Sequence, residues 1–269
     1  MFEVLVDSGA GKETVMERRD IYMYRESLEL IARALRGDYY EAFHFGSQSE
    51  GTTTPGLQSD IDILYSSHRV NIMTDLGDWK ARMSNYLMLY DDMTPPQQYL
   101  LQVFREDIQE PETSLCDDIF VRSDSGQVLF SADLWKQDIK YSLKYVGPAT
   151  KKGPSVSWKH NWDVVHAFHV CKPLPEIHNW IDRCSGRPWP PDQLLEAARV
   201  APCFLVPAGH PDSDYKREEW RLSPNLIERM LMFSFNMTQI KYYIVLKFIN
   251  KSLFAKIVGD SITSFHCKT

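Results

Sequence analysis

The chain is short of several features that would settle its class at once. Its five cysteines, Cys116, Cys171, Cys184, Cys203 and Cys267, are scattered, odd in number and never arranged as C-x-x-C. That excludes a disulfide framework and a cysteine-rich zinc module, and reduced, mostly core thiols are expected. The opening "MFEVLVDSGAGKETVMERRD" holds no apolar run of the secretory kind, so an intracellular protein is expected. The most apolar stretch, Leu231 to Ile249, is broken by Asn236, Gln239, Lys241 and Lys247, too polar for a membrane span. There is no internal repeat and no low-complexity tract. An excess of positive charge is missing too: 30 basic against 36 acidic residues give −6, which argues against tight, extended binding to nucleic acid.

What is present is ordinary globular composition, 43% hydrophobic and 25% charged over 269 residues, enough for one large domain or two lobes with a real core. The charge is unevenly spread. Residues 91 to 118 carry eight acids against Arg105 alone, whereas 136 to 160 carry Lys136, Lys140, Lys144, Lys151, Lys152 and Lys159 against Asp138. Such blocks form solvated faces, or a basic surface for phosphates.

The apolar spacing of residues 14 to 36, closed by Gly37, predicts a long amphipathic helix. "AFHFGS" and "SDIDILYS" read as strands joined by a loop with Pro55 and Gly56 at its turn. Between 74 and 110 the pattern weakens, with Pro95 and Pro96 marking a loop. "QVLFSADLW" reads as strand then turn, and "NWDVVHAFHVC" as strand. Beyond about residue 175 "PPDQLLEAARV" predicts a short helix and "CFLVP" a short extended piece. "SPNLIERMLMF" predicts a helix with Ser223 as N-cap and Pro224 in its first turn, and a further helix carries Ile240, Ile244 and Phe248 on one stripe. The expected fold class is α+β: a core lobe over 1–175 and a helical lobe over 176–269.

Two apparent motifs fail on inspection. "SGAGKET" has Val6 where a phosphate-binding loop needs its first glycine and Glu13 where it needs Ser or Thr. His166 and His169 lie three apart on a strand, so they point to opposite faces and cannot grip one ion, while Cys171 shares a face with His169 only.

Asp60 and Asp62 are harder to dismiss. Two apart on a strand, they emerge on one face about 6.5–7 Å apart at Cα. Like charges that close oppose one another's ionisation unless a cation lies between them. Magnesium favours hard oxygen ligands and takes one or two carboxylates plus substrate phosphates. Upstream, Gly46 permits close backbone approach and Ser47 offers a hydroxyl and an N–H to phosphate oxygens.

"FGSQSEGTTTPGLQSDIDIL" resembles the G-S…[DE]-x-D signature of the nucleotidyltransferase superfamily, in particular the branch of cyclic GMP-AMP synthase, the male-abnormal (Mab) developmental proteins and the cGAS-like receptors. "DVVHAFHVC" resembles that family's third-carboxylate strand, "FLVP…EEWRLSPNLIERML" its second-lobe hallmark and "FHCKT" its S-[YF]-H-x-K-T element. The resemblance implies a bilobed fold with a mixed, mostly antiparallel sheet core and a helical C-terminal lobe. It implies a catalytic, metal-binding triad of Asp60, Asp62 and Asp163, with Mg2+ or Mn2+ as cofactor. Gly46 and Ser47 match the pair that holds the triphosphate, Arg221 an arginine near the nucleotide, and Ser264 and Phe265 positions near the base. Glu228 and Lys268 match recurring residues with no role assigned, and a helix-start salt bridge is the plainer reading of Arg221 with Glu228.

By the same resemblance, ATP and GTP are the expected substrates and cyclic dinucleotide synthesis the expected activity. That activity belongs to an innate-immune sensor, cytoplasmic or nuclear, triggered by double-stranded RNA or another ligand. Ala208 departs from the lysine that follows LVP in the synthase, and "MLMFSFNMTQIKYY" leaves no room for a zinc insertion. The stop at Thr269 makes a shortened C-terminal lobe the expectation. A non-catalytic Mab-type scaffold that binds nucleotide or RNA is the alternative, and tailing of an RNA end is a third reading.

Overall fold

A computed structural model describes residues 10–53, 59–90, 94–144, 147–158, 162–170, 172 and 174–254. Its centre is a large mixed sheet in the order β1-β2-β10-β11-β12-β5-β4-β3. These strands are β1 (Tyr40–Phe45), β2 (Ile61–Ser67), β3 (Val70–Met73), β4 (Ser84–Leu89), β5 (Gln98–Phe104), β10 (Trp162–Val170), β11 (Cys203–Val206) and β12 (Trp220–Ser223). The short strands β6 (Phe120–Arg122) and β7 (Val128–Phe130) pair on β5, and β8 (Thr150–Lys152) and β9 (Ser155–Trp158) pair beside β10. Only β2–β10 and β3–β4 run parallel; the other pairings are antiparallel. The mixed, mostly antiparallel α+β expectation therefore holds. The segment expected to be mostly helical contributes β11 and β12 to the middle of this same sheet.

Helix α1 (Lys12–Arg36) forms as its spacing predicts and ends at Gly37, whose φ of +72° closes the helix with a backbone N–H to Ala34 O. A short helical turn, α2 (Gly46–Ser49), follows β1. "SADLW" is not a turn but the start of α3 (Ala132–Ser142), with the Ser131 hydroxyl accepting from Leu134 N. Helices α4 (Pro175–Cys184), α5 (Asp192–Val200), α6 (Asn225–Ser234) and α7 (Met237–Ile249) complete the set among the described residues. Pro224 rather than Ser223 caps α6, because Ser223 is still the last residue of β12 and its hydroxyl turns to Asn225 Oδ1. Asn236 and Gln239 form a reciprocal capping box at the start of α7.

The largest core cluster gathers Leu101, Phe130, Phe168, Leu205 and Trp220 with Ile177 and Ile181 of α4. Trp220 is fully buried, and its indole N–H donates to Phe130 O at 2.9 Å, so its polar atom is satisfied. A second cluster, Phe45, Leu64, Ala167, Phe204, Val206 and Ala208, lies at the β1-β2-β10-β11 end. Ala208, two residues after β11, is buried in this cluster.

Helix α1 joins the parts. Buried Arg19 donates to Glu50 O at 3.0 Å and to Met232 O, at the end of α6, at 2.9 Å. A cation among the last carbonyls of a helix is well placed against its dipole. Further along, Glu26 accepts from Arg229 at 2.6 Å and from the backbone N–H of His44, tying α1 and α6 to β1.

Two expectations need correcting. Between 74 and 110, where the pattern weakens, the chain forms β4 and β5 on either side of the loop at Pro95 and Pro96, and β5 is hidden in the sequence because it is buried at every position and so shows no alternation. Of the described cysteines Cys203 is buried, Cys184 half-buried and Cys116 exposed, so the thiols are not mostly core; Cys171 and Cys267 lie outside the described residues. His166 and His169 do face opposite ways: His166 packs on Tyr65 and Trp135, His169 on Phe43 and Phe204. Among the described residues no helix is long and apolar enough to cross a membrane.

Candidate active site

The parallel pairing of β2 with β10 places Asp163 directly opposite Asp62. Register partners share a face, so the two carboxylates stand side by side on neighbouring strands, about 4.8 Å apart in the pairing direction. A hundred residues separate them in sequence; the sheet alone brings them together. On the other side of Asp62, Phe45 is its partner on β1, and the chain turns immediately into Gly46.

Gly46 has a φ of +75°, a region that L side chains rarely adopt. A Cβ built there would lie 2.9 Å from Asp62 Cγ and closer still to Oδ2. Glycine is therefore what allows the Asp62 carboxylate to lie over the backbone turn. Beyond Asp163, the hydroxyl of Ser157, its partner on β9, donates to Asp163 Oδ1.

These groups line a pocket of about 280 Å3. Gly46, Glu50, Asp62 and Asp163 line it together with the apolar Leu64, Val165 and Val206 and the polar Arg221, Ser223, Asn225 and Glu228. Arg221 is exposed, yet the surrounding walls strip water from its guanidinium and lower its pKa, with the charge of Glu228 acting in the opposite sense. A larger cavity, about 780 Å3, meets the first along Arg221, Ser223, Asn225 and Glu228 and adds Trp180, Arg183 and Trp189.

Of the sequence-predicted residues, Gly46, Asp62, Asp163 and Arg221 converge on the pocket, and Glu228 joins them. Asp60, half-buried just before β2, is not among the residues lining it. Nor is Ser47, which looks the other way: its hydroxyl accepts from Lys247 Nζ at 2.6 Å. Ser264, Phe265 and Lys268 lie outside the described residues.

Lys247 is the residue that sequence reasoning missed. It is 3% exposed, comes from α7, and also donates to Thr52 O at 3.1 Å. Its signal was a lysine among the apolar neighbours of "IVLKFI", read as a mere interruption. A buried ammonium is rare enough to be informative.

The lysine run fares less well as a phosphate surface. Lys151 pairs with Asp133 at 3.0 Å, Lys136 donates to Gly153 O at 3.2 Å, and Lys144 lies over the Tyr141 ring. The side chain of Lys152 and all of Lys159 lie outside the described residues.

No protein-family model matches the chain, and no curated protein matches it significantly. The residues and their arrangement therefore carry the functional reading by themselves.

Proposed function

We propose that this chain is a metal-dependent nucleotidyltransferase of the cyclic dinucleotide synthase type, using ATP and GTP. The observation that carries the reading is the pairing of Asp62 with Asp163 across parallel strands, above a glycine turn and facing Arg221. The donor set fits Mg2+ or Mn2+: the paired Asp62 and Asp163 carboxylates are hard oxygen donors, Glu50 and Glu228 line the same pocket, and no sulfur or imidazole does. Among the described residues no three His, Cys, Asp or Glu side chains form a group able to hold a metal, so substrate phosphates and water would supply the remaining ligands, as is usual for magnesium. When bound, the metal would neutralise phosphate charge and favour the nucleophile and the leaving group.

The chain's own residues would position and compensate charge. The Gly46 turn admits a triphosphate close to the backbone, Arg221 offsets its negative charge, and Lys247 holds the Ser47 side of the turn from behind. A ribose hydroxyl oxygen bonds to the α-phosphorus, the bond from that phosphorus to the bridging oxygen breaks, and pyrophosphate leaves. The hydroxyl proton passes to Asp163 Oδ2, since Oδ1 is occupied by Ser157. Fixed geometry and preorganised charge do most of the work.

A second reading, a nucleotide-binding scaffold without turnover, draws support from Asp60, which is not on the pocket wall. The two readings are separated by incubating the protein with the four ribonucleotides and Mg2+ or Mn2+, with and without duplex RNA or DNA, and reading products by mass spectrometry. A linked dinucleotide that disappears in Asp62→Asn and Asp163→Asn supports the enzyme. Nucleotide binding without product supports the scaffold, and absence of both binding and product refutes the site.

A further inference from the structure

Helix α1 does two unlike things on its two sides. Its inner face, through Val15, Arg19, Glu26 and Glu29, holds the body of the protein together. Its outer face carries Ile21, Tyr24, Leu28, Ile31 and Leu35, which are 55%, 66%, 47%, 57% and 84% exposed. Their spacing alternates three and four residues, the a and d positions of a heptad seam. Isolated exposed apolar residues need no explanation, but a continuous stripe of this kind on one helix does.

We propose that this stripe is an interface between two copies of the chain, with the two α1 helices side by side and parallel about a twofold axis. The heptad register selects the partner and its orientation. With Ile21, Leu28 and Leu35 at a and Tyr24 and Ile31 at d, Asp20 falls at g and Arg25 at the following e. In a parallel pair, Asp20 of each copy therefore meets Arg25 of the other, twice by symmetry. Asp20 is exposed, and Arg25, though bonded to Glu29 at 3.1 Å, keeps 38% of its side chain exposed. The remaining flanking positions, Ser27, Ala32 and Ala34, are small and uncharged, so they neither bar close approach nor repel. The body packs on the inner face and reaches the flank at Arg25, whose guanidinium lies over the Trp162 ring at 5.7 Å. Because α1 is already held as a helix by the body, pairing does not require folding it.

The seam from Ile21 to Leu35 is about 21 Å long, which places the contact among small, reversible interfaces. The test is light scattering coupled to size exclusion, over a wide concentration range. The wild-type chain is expected to shift from one to two chain masses as concentration rises. Leu28→Glu and, separately, Tyr24→Lys should remain at one chain mass with unchanged circular dichroism, since both residues are exposed. Asp20→Arg and Arg25→Asp should each dimerise more weakly than wild type, and mixing the two should restore dimers, because the mixed pair is complementary at both contacts. A wild-type chain that is monomeric throughout, or a dimer insensitive to Leu28→Glu, overturns the interface. Failure of the mixed charge variants to recombine overturns the parallel register.

Discussion

Replacing Gly46 by alanine tests the site at its tightest point. Two separate penalties apply. Alanine at φ +75° costs about 1–2 kcal/mol for the left-handed backbone. Its methyl would also meet Asp62, 2.9 Å from Cγ, and forcing extra volume into a packed site costs about 1–3 kcal/mol. The sum is about 2–5 kcal/mol of stability, provided Asp62 holds its place. The two parts separate in an Asp62→Ala background. There the two closest atoms, Oδ2 and Cγ, are gone, and Cβ of residue 62 stays at the ordinary contact distance of 3.4 Å. Gly46→Ala should then cost only the backbone part, leaving a coupling of about 1–3 kcal/mol in a double-mutant cycle. Urea unfolding of the four proteins, followed by fluorescence, measures it directly. If Gly46→Ala costs the same in both backgrounds, the carboxylate does not lie over the turn and the argument for the pocket fails.

Lys247→Met should cost about 1–3 kcal/mol of stability, because it removes the buried ammonium's bonds to Ser47 and Thr52, read as a lower urea midpoint; an unchanged midpoint would show that the lysine does not hold the turn. Acidification should destabilise the protein through His44 and His166, both of whose pKa values burial pushes down to about 4. Around His44, Glu29 works against that shift while Arg25 and Arg229 reinforce it; beside His166, Arg33 reinforces it. Below the ordinary histidine value of 6.5, the unfolded chain takes up protons that the folded chain refuses. Stability is thus complete above that value and lost as pH falls toward 4, by about 2 kcal/mol per histidine at about pH 5. A His166→Phe variant should show a flatter loss in urea midpoints across that window, and an unchanged slope would show that His166 is not buried neutral.

Where the sequence was legible, the cause was local. α1 announced itself because a half-buried helix must repeat its apolar positions and stop at a residue tolerant of positive φ, here Gly37. β1, β2 and β10 were legible from their strand-forming runs, and Asp62 and Gly46 from residue types unusual in such runs. β5 was hidden because burial at every position, Gln98 to Phe104, removes the polar alternation that marks a strand. Lys247 was hidden for a related reason: its partners Ser47 and Thr52 lie about two hundred residues away, and nothing in the helix itself names them. The neighbourhood of Asp62 and Asp163 depends on a parallel register, which sequence spacing cannot supply; there the resemblance pointed to a triad, of which the pocket holds two members.

The strand order also has a consequence for biosynthesis. β10 and β5 are joined in the sheet through β11 and β12, and β12 ends at Ser223. While the chain is being made, the end of β5 that β12 covers and the end of β10 that β11 covers must wait, unpaired, for strands not yet translated. Open edges of this kind are templates for pairing with other chains, and non-local pairing is slow to form. Crowded ribosomes making this protein should therefore be the place where it is most exposed to aggregation, and the nascent chain up to β10 the species most dependent on chaperones.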